Sequence, residues 1–475
     1  MVNLLLGPLV GGLCHNRAFL WGRADGPATL HAWLGQSPDL SDGQLAGKSL
    51  ELRAEDGFSG VAPVHNLTPN THYHYHLAID ETPPSRSEGP YPSFTTFPLP
   101  GLPASFAFSF GSCFRPADEN GGKIFYTLEA KRRERELRFI LLLGDQIYAD
   151  AFRHNGLGRV ACSLEDYRAV YAYTWSRPPF RQLLQNLPAF MTLDDHEVDD
   201  DWRWTDITRQ VAYIPIWDRI ERLLKGRLRQ EWLIPVQRVQ DALKAYWEHQ
   251  GMHAPPFEIP LPVDQEGQYK LLPQNPGSLA YTFTFGAAAF FVMDTRTMRV
   301  RGRHVRSMLG EGQWHVLEEW LLSVKDTYPV KFLVTSCSML FDMWLDFPRD
   351  RWSGFPEERN RLLHFLAAHG IENVYLLAGD LHSAHAVSAD LYGPQGRSLP
   401  VWEFCSTPFE QKPNTLSKRT YVRLRSGPVK QQELHFCLGL NNFGLVQVDF
   451  DCTARPRVCF ELYDEKGKLL ARAGG

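Results

Sequence analysis

The sequence predicts an α/β protein with a small all-β region at its N-terminal end. Short alternating segments fill the first hundred or so residues, nearly continuous apolar runs alternate with helical stretches after them, and most of those runs end in an acid, a cysteine or a histidine. The first pattern is that of antiparallel strands with one face in water; the second is that of strands buried on both faces between helices. The third sets polar side chains at strand ends, where an open α/β sheet forms its ligand crevice.

The segments RAFLWGRA, ATLHAWLG, KSLELRA and HYHYHLAI, separated by Gly, Pro, Asp and Asn turns, predict a β-sandwich domain over residues 1–99. Leu67-Thr68-Pro69-Asn70-Thr71-His72-Tyr73 resembles the tyrosine-corner turn of fibronectin- and immunoglobulin-like domains, in which the Tyr hydroxyl ties the corner to nearby backbone. FTTFPLPGLP reads as a linker into a second domain, 100–475. There the runs ASFAFSFGSC, RFILLLGD, PAFMTLDDHE, AAFFVMDT, VKFLVTSCS and NVYLLAGD predict buried strands. Between them IFYTLEAKRRERELR, WHVLEEWLLSVKD and ERNRLLHFLAAHG have helical spacing. A Trp- and Arg-rich helical insertion spans about 202–250, its aromatics expected to pack rather than to act as a lid, and strands return from about Gly439 to Leu469.

Composition narrows the classes of function. With 475 residues, 44% hydrophobic and 22% charged, the chain is neither disordered nor fibrous. Fifty basic against 54 acidic residues give a net charge of −4 with no basic tail, which makes nucleic acid a poor partner. No apolar run is long enough to span a bilayer. Eight cysteines are too sparse for a disulfide scaffold. MVNLLLGPLVGGLC lacks a basic region, a cleavage site and a twin arginine, so it is expected to be a first strand in a cytoplasmic protein, with Cys452 and Cys459 as thiols.

The strand-end residues are Cys113, Asp145, Asp195, Asp294, and Asp380 with His382. In Gly144-Asp145-Gln146-Ile147-Tyr148 a carboxylate on a glycine-freed turn can bridge two cations, and a phenol three residues on can bind Fe(III) as phenolate. Asp194-Asp195-His196-Glu197 puts buried acids beside an imidazole, a combination that seeks a cation to offset desolvation. Asp200 and Asp201, further along, read as a solvated acidic loop. Gly379-Asp380-Leu381-His382 repeats the strand-then-acid arrangement. Weaker candidates read as structural: Cys337 as a small buried hydrophobe, His72, His74 and His76 as one exposed strand face, and Ser336 and Ser338 as lacking any nucleophile elbow.

Phe110-Gly111-Ser112-Cys113, GDQIY, LDDHEVDDDW, MDTR and GDLH, in that order, resemble the PhoD-type alkaline phosphatases of the metallophosphoesterase superfamily. The resemblance covers essentially the whole second domain, and the preceding sandwich also resembles that family's N-terminal domain. It implies a four-layer α/β-β/α sandwich and a phosphoesterase site holding Fe(III) with a divalent ion, Ca(II) by the family's habit. By position, Cys113, Asp145 and Tyr148 match iron-side ligands with Asp145 as the bridge, and Asp195 and Asp380 match ligands of the other metal site or sites. His382 matches a metal-binding His, His196 the His that steadies or protonates the reacting phosphate, and Arg296 an arginine near that phosphate. Several positions depart from the wider superfamily: Ser112-Cys113 stands for DxH, Asp195 for the Asn of GNHD/E, GDLH for GHxH, and VKFLVTSCS has no His. That donor set is richer in oxygen and thiolate, which favours Fe(III) with a hard divalent ion.

The function implied is hydrolysis of a small-molecule phosphoester, monoester or diester, by a metal-activated hydroxide at a multinuclear site. The rival is a catalytically inactive metal-, carbohydrate- or protein-binding protein that works through the sandwich. The intact set of strand-end ligands argues against such decay.

Overall fold

The computed structural model describes residues 2–118, 121–151, 153–203, 234–263, 277–301, 305–344, 350–393, 396–451 and 455–474. Two antiparallel sheets form the N-terminal region. One orders Leu4–Gly11, Arg17–Ala24 and Ser59–His65; the other orders Gln44–Glu51, Thr29–Gly35, His72–Ile79 and Ser93–Thr95. Leu20 and Val64 of the first sheet share a buried cluster with Leu30, Tyr75 and Leu77 of the second. The Tyr73 hydroxyl accepts from the Thr68 N–H at 3.1 Å, the tie expected of the corner. His72 is exposed, and His74 bonds the Tyr91 carbonyl oxygen at 3.0 Å.

Six of the apolar runs are strands, and they divide between two larger sheets. A six-stranded sheet runs Ala189–Thr192, Ile140–Leu143, Phe106–Gly111, Asn442–Asp449, Arg457–Asp464 and Leu469–Gly474. A seven-stranded sheet runs Tyr281–Phe285, Ala288–Val292, Val330–Cys337, Val374–Gly379, Ser398–Cys405, Ala384–Tyr392 and Val429–Leu438. Phenylalanines join them face to face. The Phe190 ring, from the first sheet, lies 4.0 Å from Phe283, which lies 4.4 Å from Phe290, itself 4.7 Å from Phe332, all three from the second. Each such pair adds about 0.5–1.5 kcal/mol to the area it buries.

Helices cover the outer faces. Ile124–Arg135, Leu164–Trp175, Pro178–Asn186 and Val236–Tyr246 bury their apolar sides with Ile140, Leu142 and Met191 of the six-stranded sheet. Gly310–Val324 and Pro356–His369 do the same with Phe291, Leu333 and Leu376 of the seven-stranded one. Most of the insertion lies outside the described residues; at its start Trp202 is buried, as packing requires. The N-terminal sheets are fastened to this body by Trp21 Nε1–H donating to the Glu248 carbonyl oxygen at 2.9 Å and by the Tyr75 hydroxyl donating to that of Gln185 at 2.8 Å.

Cys14, Cys113, Cys162, Cys337, Cys405, Cys437 and Cys459 are free thiols, and Cys452 lies outside the described residues. No helix among the described residues is long and apolar enough to cross a membrane.

Parallel pairing brings the strand ends into line. Gly111 sits opposite Leu142, Thr192 opposite Leu143, and on the other sheet Cys337 opposite Gly379. The chain then turns sharply in the left-handed region at Cys113 (φ 64°), Gly144 (94°), Asp145 (55°), Asp380 (66°) and His382 (54°). For a residue with a Cβ that region costs about 1–2 kcal/mol, and such strain concentrates where a side chain has to be aimed.

Candidate metal centre

These turns aim their side chains at one another. Cys113 Sγ lies 3.3 Å from Asp145 Oδ2, which also accepts from the Tyr148 hydroxyl at 3.3 Å. The same hydroxyl is 3.2 Å from His382 Nε2. Ligand atoms of Cys113, Asp145 and His382 fall within 4.8 Å of one another, and so do three further groups: Asp145, Asp195 and His196; Asp194, Asp195 and Asp380; Asp195, Asp201 and Asp350. Asp145 and Asp195 each belong to more than one group, the position a bridging ligand occupies. Thr407 Oγ1–H donates to Cys113 Sγ at 3.1 Å, and Ser112 Oγ accepts from the Asp380 N–H at 3.2 Å, so the two sheets meet through this centre.

Glu197 holds the turns in place from beneath. Its carboxylate accepts the backbone N–H groups of Asp145 (3.1 Å), Gln146 (2.7 Å) and Asp194 (3.0 Å). Gly144 allows the close approach, since a Cβ there would lie 2.4 Å from Asp194 Cβ.

Arg296 stands behind the acids and does not line the open cavity. It is 1% exposed, and its guanidinium donates to Asp194 Oδ1 at 2.5 Å and Asp350 Oδ2 at 2.6 Å, with Asp195 Oδ1 3.5 Å away. A buried guanidinium needs carboxylate partners, and Arg296, expected near the phosphate, has them in Asp194, Asp350 and Asp195. Asp294 accepts the N–H groups of Leu279, Arg296 and Thr297 and so shapes the turn that presents it. Arg351, which the sequence did not single out, donates to Asp380 Oδ2 at 3.3 Å.

His196 lines the cavity. Its Nδ1 is 2.8 Å from Asp150 Oδ1, which fixes the ring, and its Nε2 is 4.0 Å from Asp200 Oδ1. The reading of Asp200 and Asp201 as a solvated loop is corrected. Both are partly buried, the Asp201 N–H donates to Asp195 Oδ2 at 2.8 Å, and its carboxylate joins Asp195 and Asp350. The loop turns tightly here, with the Trp202 N–H donating to the Asp199 carbonyl oxygen at 3.1 Å and Asp201 in the left-handed region (φ 55°). Asp150 and Asp350 carried no motif: one follows GDQIY by two residues, and the other lies in a loop without periodic pattern.

The electrostatics show an excess of negative charge. Burial, with the neighbouring Cys113, pushes the Asp145 carboxyl well above its ordinary range. Burial takes Asp194 up to about 7 against the pull of Arg296 and raises Asp380 too, while it lifts the Cys113 thiol to about 12. Burial and then Cys113 and Asp145 raise Tyr148. Burial and the charge of His196 bring His382 down to about 3. At Asp195 burial is outweighed by Arg296 and His196, so that carboxyl is lowered; at His196 burial is outweighed by Asp150, Asp195 and Asp145, so that imidazole is raised. Asp194 Oδ2 and Asp195 Oδ1 are buried without a hydrogen-bond partner among the described residues. Orphaned carboxylate oxygens beside a thiol, a phenol and an imidazole make a donor set that fits cations, one of them suited to soft and hard anionic donors together and the others to oxygen.

In a mixed α/β fold, buried carboxylates, a thiol, a phenol and two imidazoles gathered at strand ends make up a candidate metal centre. The profile of the PhoD-like phosphatases matches residues 106–456, and the chain belongs to that family. It is 25% identical over 355 residues to alkaline phosphatase D of Bacillus subtilis (strain 168), a match that takes in 67% of this chain and 52% of that protein. The chain thus spans about half the length of the curated relative it matches. Among solved structures it is similar to PhoD, with a TM-score of 0.70 and 20% identity over 98% of this chain and 92% of the other. It is also similar to the purple acid phosphatase PPD1 of yellow lupin seeds, with a TM-score of 0.56 and 11% identity over 98% and 73%.

Proposed function

We propose that the protein is a metal-dependent phosphoester hydrolase, and that its core is the α/β-β/α sandwich of the metallophosphoesterases behind an N-terminal β-sandwich domain divided from it at 99/100. The observation that carries this reading is the convergence of Cys113, Asp145, Tyr148, His382, Asp195 and Asp380, with orphaned carboxylate oxygens, inside the region that matches the family. Cys113, Asp145, Tyr148 and His382 would hold an Fe(III)-type ion, and Asp195 and Asp380, with Asp194, a harder divalent ion such as Ca(II). When bound, such cations supply Lewis acidity: they acidify a water molecule and neutralise charge on phosphate oxygens.

The chain's own groups do the rest. Asp150 anchors His196 Nδ1 and, against burial, favours the protonated ring, so Nε2–H can donate to a phosphate or leaving-group oxygen. Arg296 keeps Asp194, Asp195 and Asp350 in register and limits their mutual repulsion. Burial of the acids excludes bulk water from the space between them. Phosphomonoesters and phosphodiesters both fit this scheme. The seven free thiols among the described residues suit a reducing, cytoplasmic setting. The intact ligand set favours a hydrolase over a binding protein that works through the sandwich.

The test is hydrolysis of a chromogenic phosphoester by protein purified without chelator. Activity should disappear after dialysis against a chelator and return with added iron and a divalent ion; activity that survives complete metal removal would refute the proposal.

A further inference from the structure

Resting on that hydrolase reading, we infer that Arg115 and Lys412 form an anion-recognition pair on the cavity rim, which selects phosphoesters whose leaving group carries a second anionic substituent. The cavity beside Tyr148, His196 and His382 has a volume of about 520 Å³ and continues along Arg115, Arg153, His154, Gln411 and Lys412. That volume suits an organic ligand larger than a lone phosphate. Among the described residues of its lining Ala151 alone is aliphatic, so a greasy leaving group has little to pack against there.

Two features make the rim a recognition surface. The first is placement: the loop that carries Lys412 is tied to the ligand-bearing turns at both ends. The Glu410 N–H donates to the Cys113 carbonyl oxygen at 3.3 Å, the Arg115 N–H to that of Glu410 at 2.9 Å, and the Asn414 N–H to that of His382 at 2.7 Å. The second is available charge. The Arg115 guanidinium lies 5.5 Å from the centroid of the Tyr148 ring, and neither it nor the exposed Lys412 ammonium makes an ion pair with a carboxylate among the described residues. The Asp150 carboxylate in the same lining is engaged: it holds His196 and accepts the Asp200 N–H at 3.3 Å. A phosphoryl group bound at the centre would leave its ester substituent beside this rim, where two cations carried on anchored backbone favour an anion and give a neutral group nothing.

The experiment compares kcat/KM for phenyl phosphate and 4-carboxyphenyl phosphate, which differ by one carboxylate, in the metal-loaded native protein and in Lys412→Ala, Lys412→Glu and Arg115→Gln. The ratio between variants cancels the intrinsic reactivity of the two esters. The preference for the carboxylated ester should fall about tenfold in Lys412→Ala and in Arg115→Gln, and further in Lys412→Glu, the scale of one charge-assisted contact. Lys412 is exposed, so its variants keep the test open if Arg115→Gln does not fold. An unchanged ratio in all three variants would overturn the inference, and so would an equal loss on both esters. Failure of the loaded native protein to turn over either ester would instead sink the hydrolase reading, and this inference with it.

Discussion

His196 and the pair Cys113 and Tyr148 divide the residue-scale chemistry between proton transfer and metal character. His196→Ala removes an imidazole held by Asp150 at 2.8 Å but no shared carboxylate, so the protein should keep its metals and lose on the order of 10² to 10⁴ in kcat. Steady-state kinetics beside metal analysis checks this, and an unaltered kcat would make His196 structural. Thiolate and phenolate donors both give charge-transfer absorption with Fe(III), so the concentrated native protein should be coloured, and Cys113→Ser and Tyr148→Phe should each shift or weaken the visible band. A band that survives both changes would remove both residues from the iron site. These residues were legible in the sequence because each follows an apolar run at a fixed short distance. Asp150, Asp350 and Thr407 were not, because their loops carry no periodic signal and only the fold brings them to the centre. Glu197 stood in view beside Asp195 and His196, yet its work, collecting three backbone N–H groups, belongs to tertiary structure.

The turns that follow the strands aim the ligands, and they have little room. At Gly144, a φ of 94° and a Cβ that would sit 2.4 Å from Asp194 Cβ leave no space for a side chain. Gly144→Ala should therefore destabilise the fold by roughly 1–3 kcal/mol and loosen the metals; a denaturation curve and metal content like the native protein's would contradict that account of the turn. Within the strand Val330–Cys337, burial lowers the Lys331 ammonium to about 8. Between about 8 and its ordinary 10.5, the unfolded chain holds a proton that the folded chain has released, so stability rises with pH through that window. Lys331→Met should then raise stability at pH 7 by on the order of 1 kcal/mol, once solvent screening and the lost bond to the Glu372 carbonyl are discounted. The gain should fade above about pH 10.5, and thermal unfolding at both ends of the window reads it. The six apolar runs and three long helices were legible from periodicity alone. Ala384–Tyr392, which mixes small and polar residues, and Ser398–Cys405, which contains Pro400, became strands only because neighbours pair with them on both sides. The helices Leu164–Trp175 and Pro178–Asn186 also escaped the reading, since their buried aromatics blur a one-sided pattern.

Across the whole molecule, two sheets of different connectivity are packed through phenylalanines so that their strand ends face one another, and the acids gathered there outnumber the arginines that accompany them. Carboxylates this close are stable together only when neutralised, by protons or by cations. The proposed function chooses cations, with Asp145 shared between groups. The most direct test is elemental analysis of protein purified without chelator, run beside Asp145→Asn. The account predicts two or more metal equivalents per chain in the native protein, iron among them, and a loss of bound metal together with phosphoester turnover in the variant. Substoichiometric metal in an active native protein, or full metal and full turnover in Asp145→Asn, would contradict it.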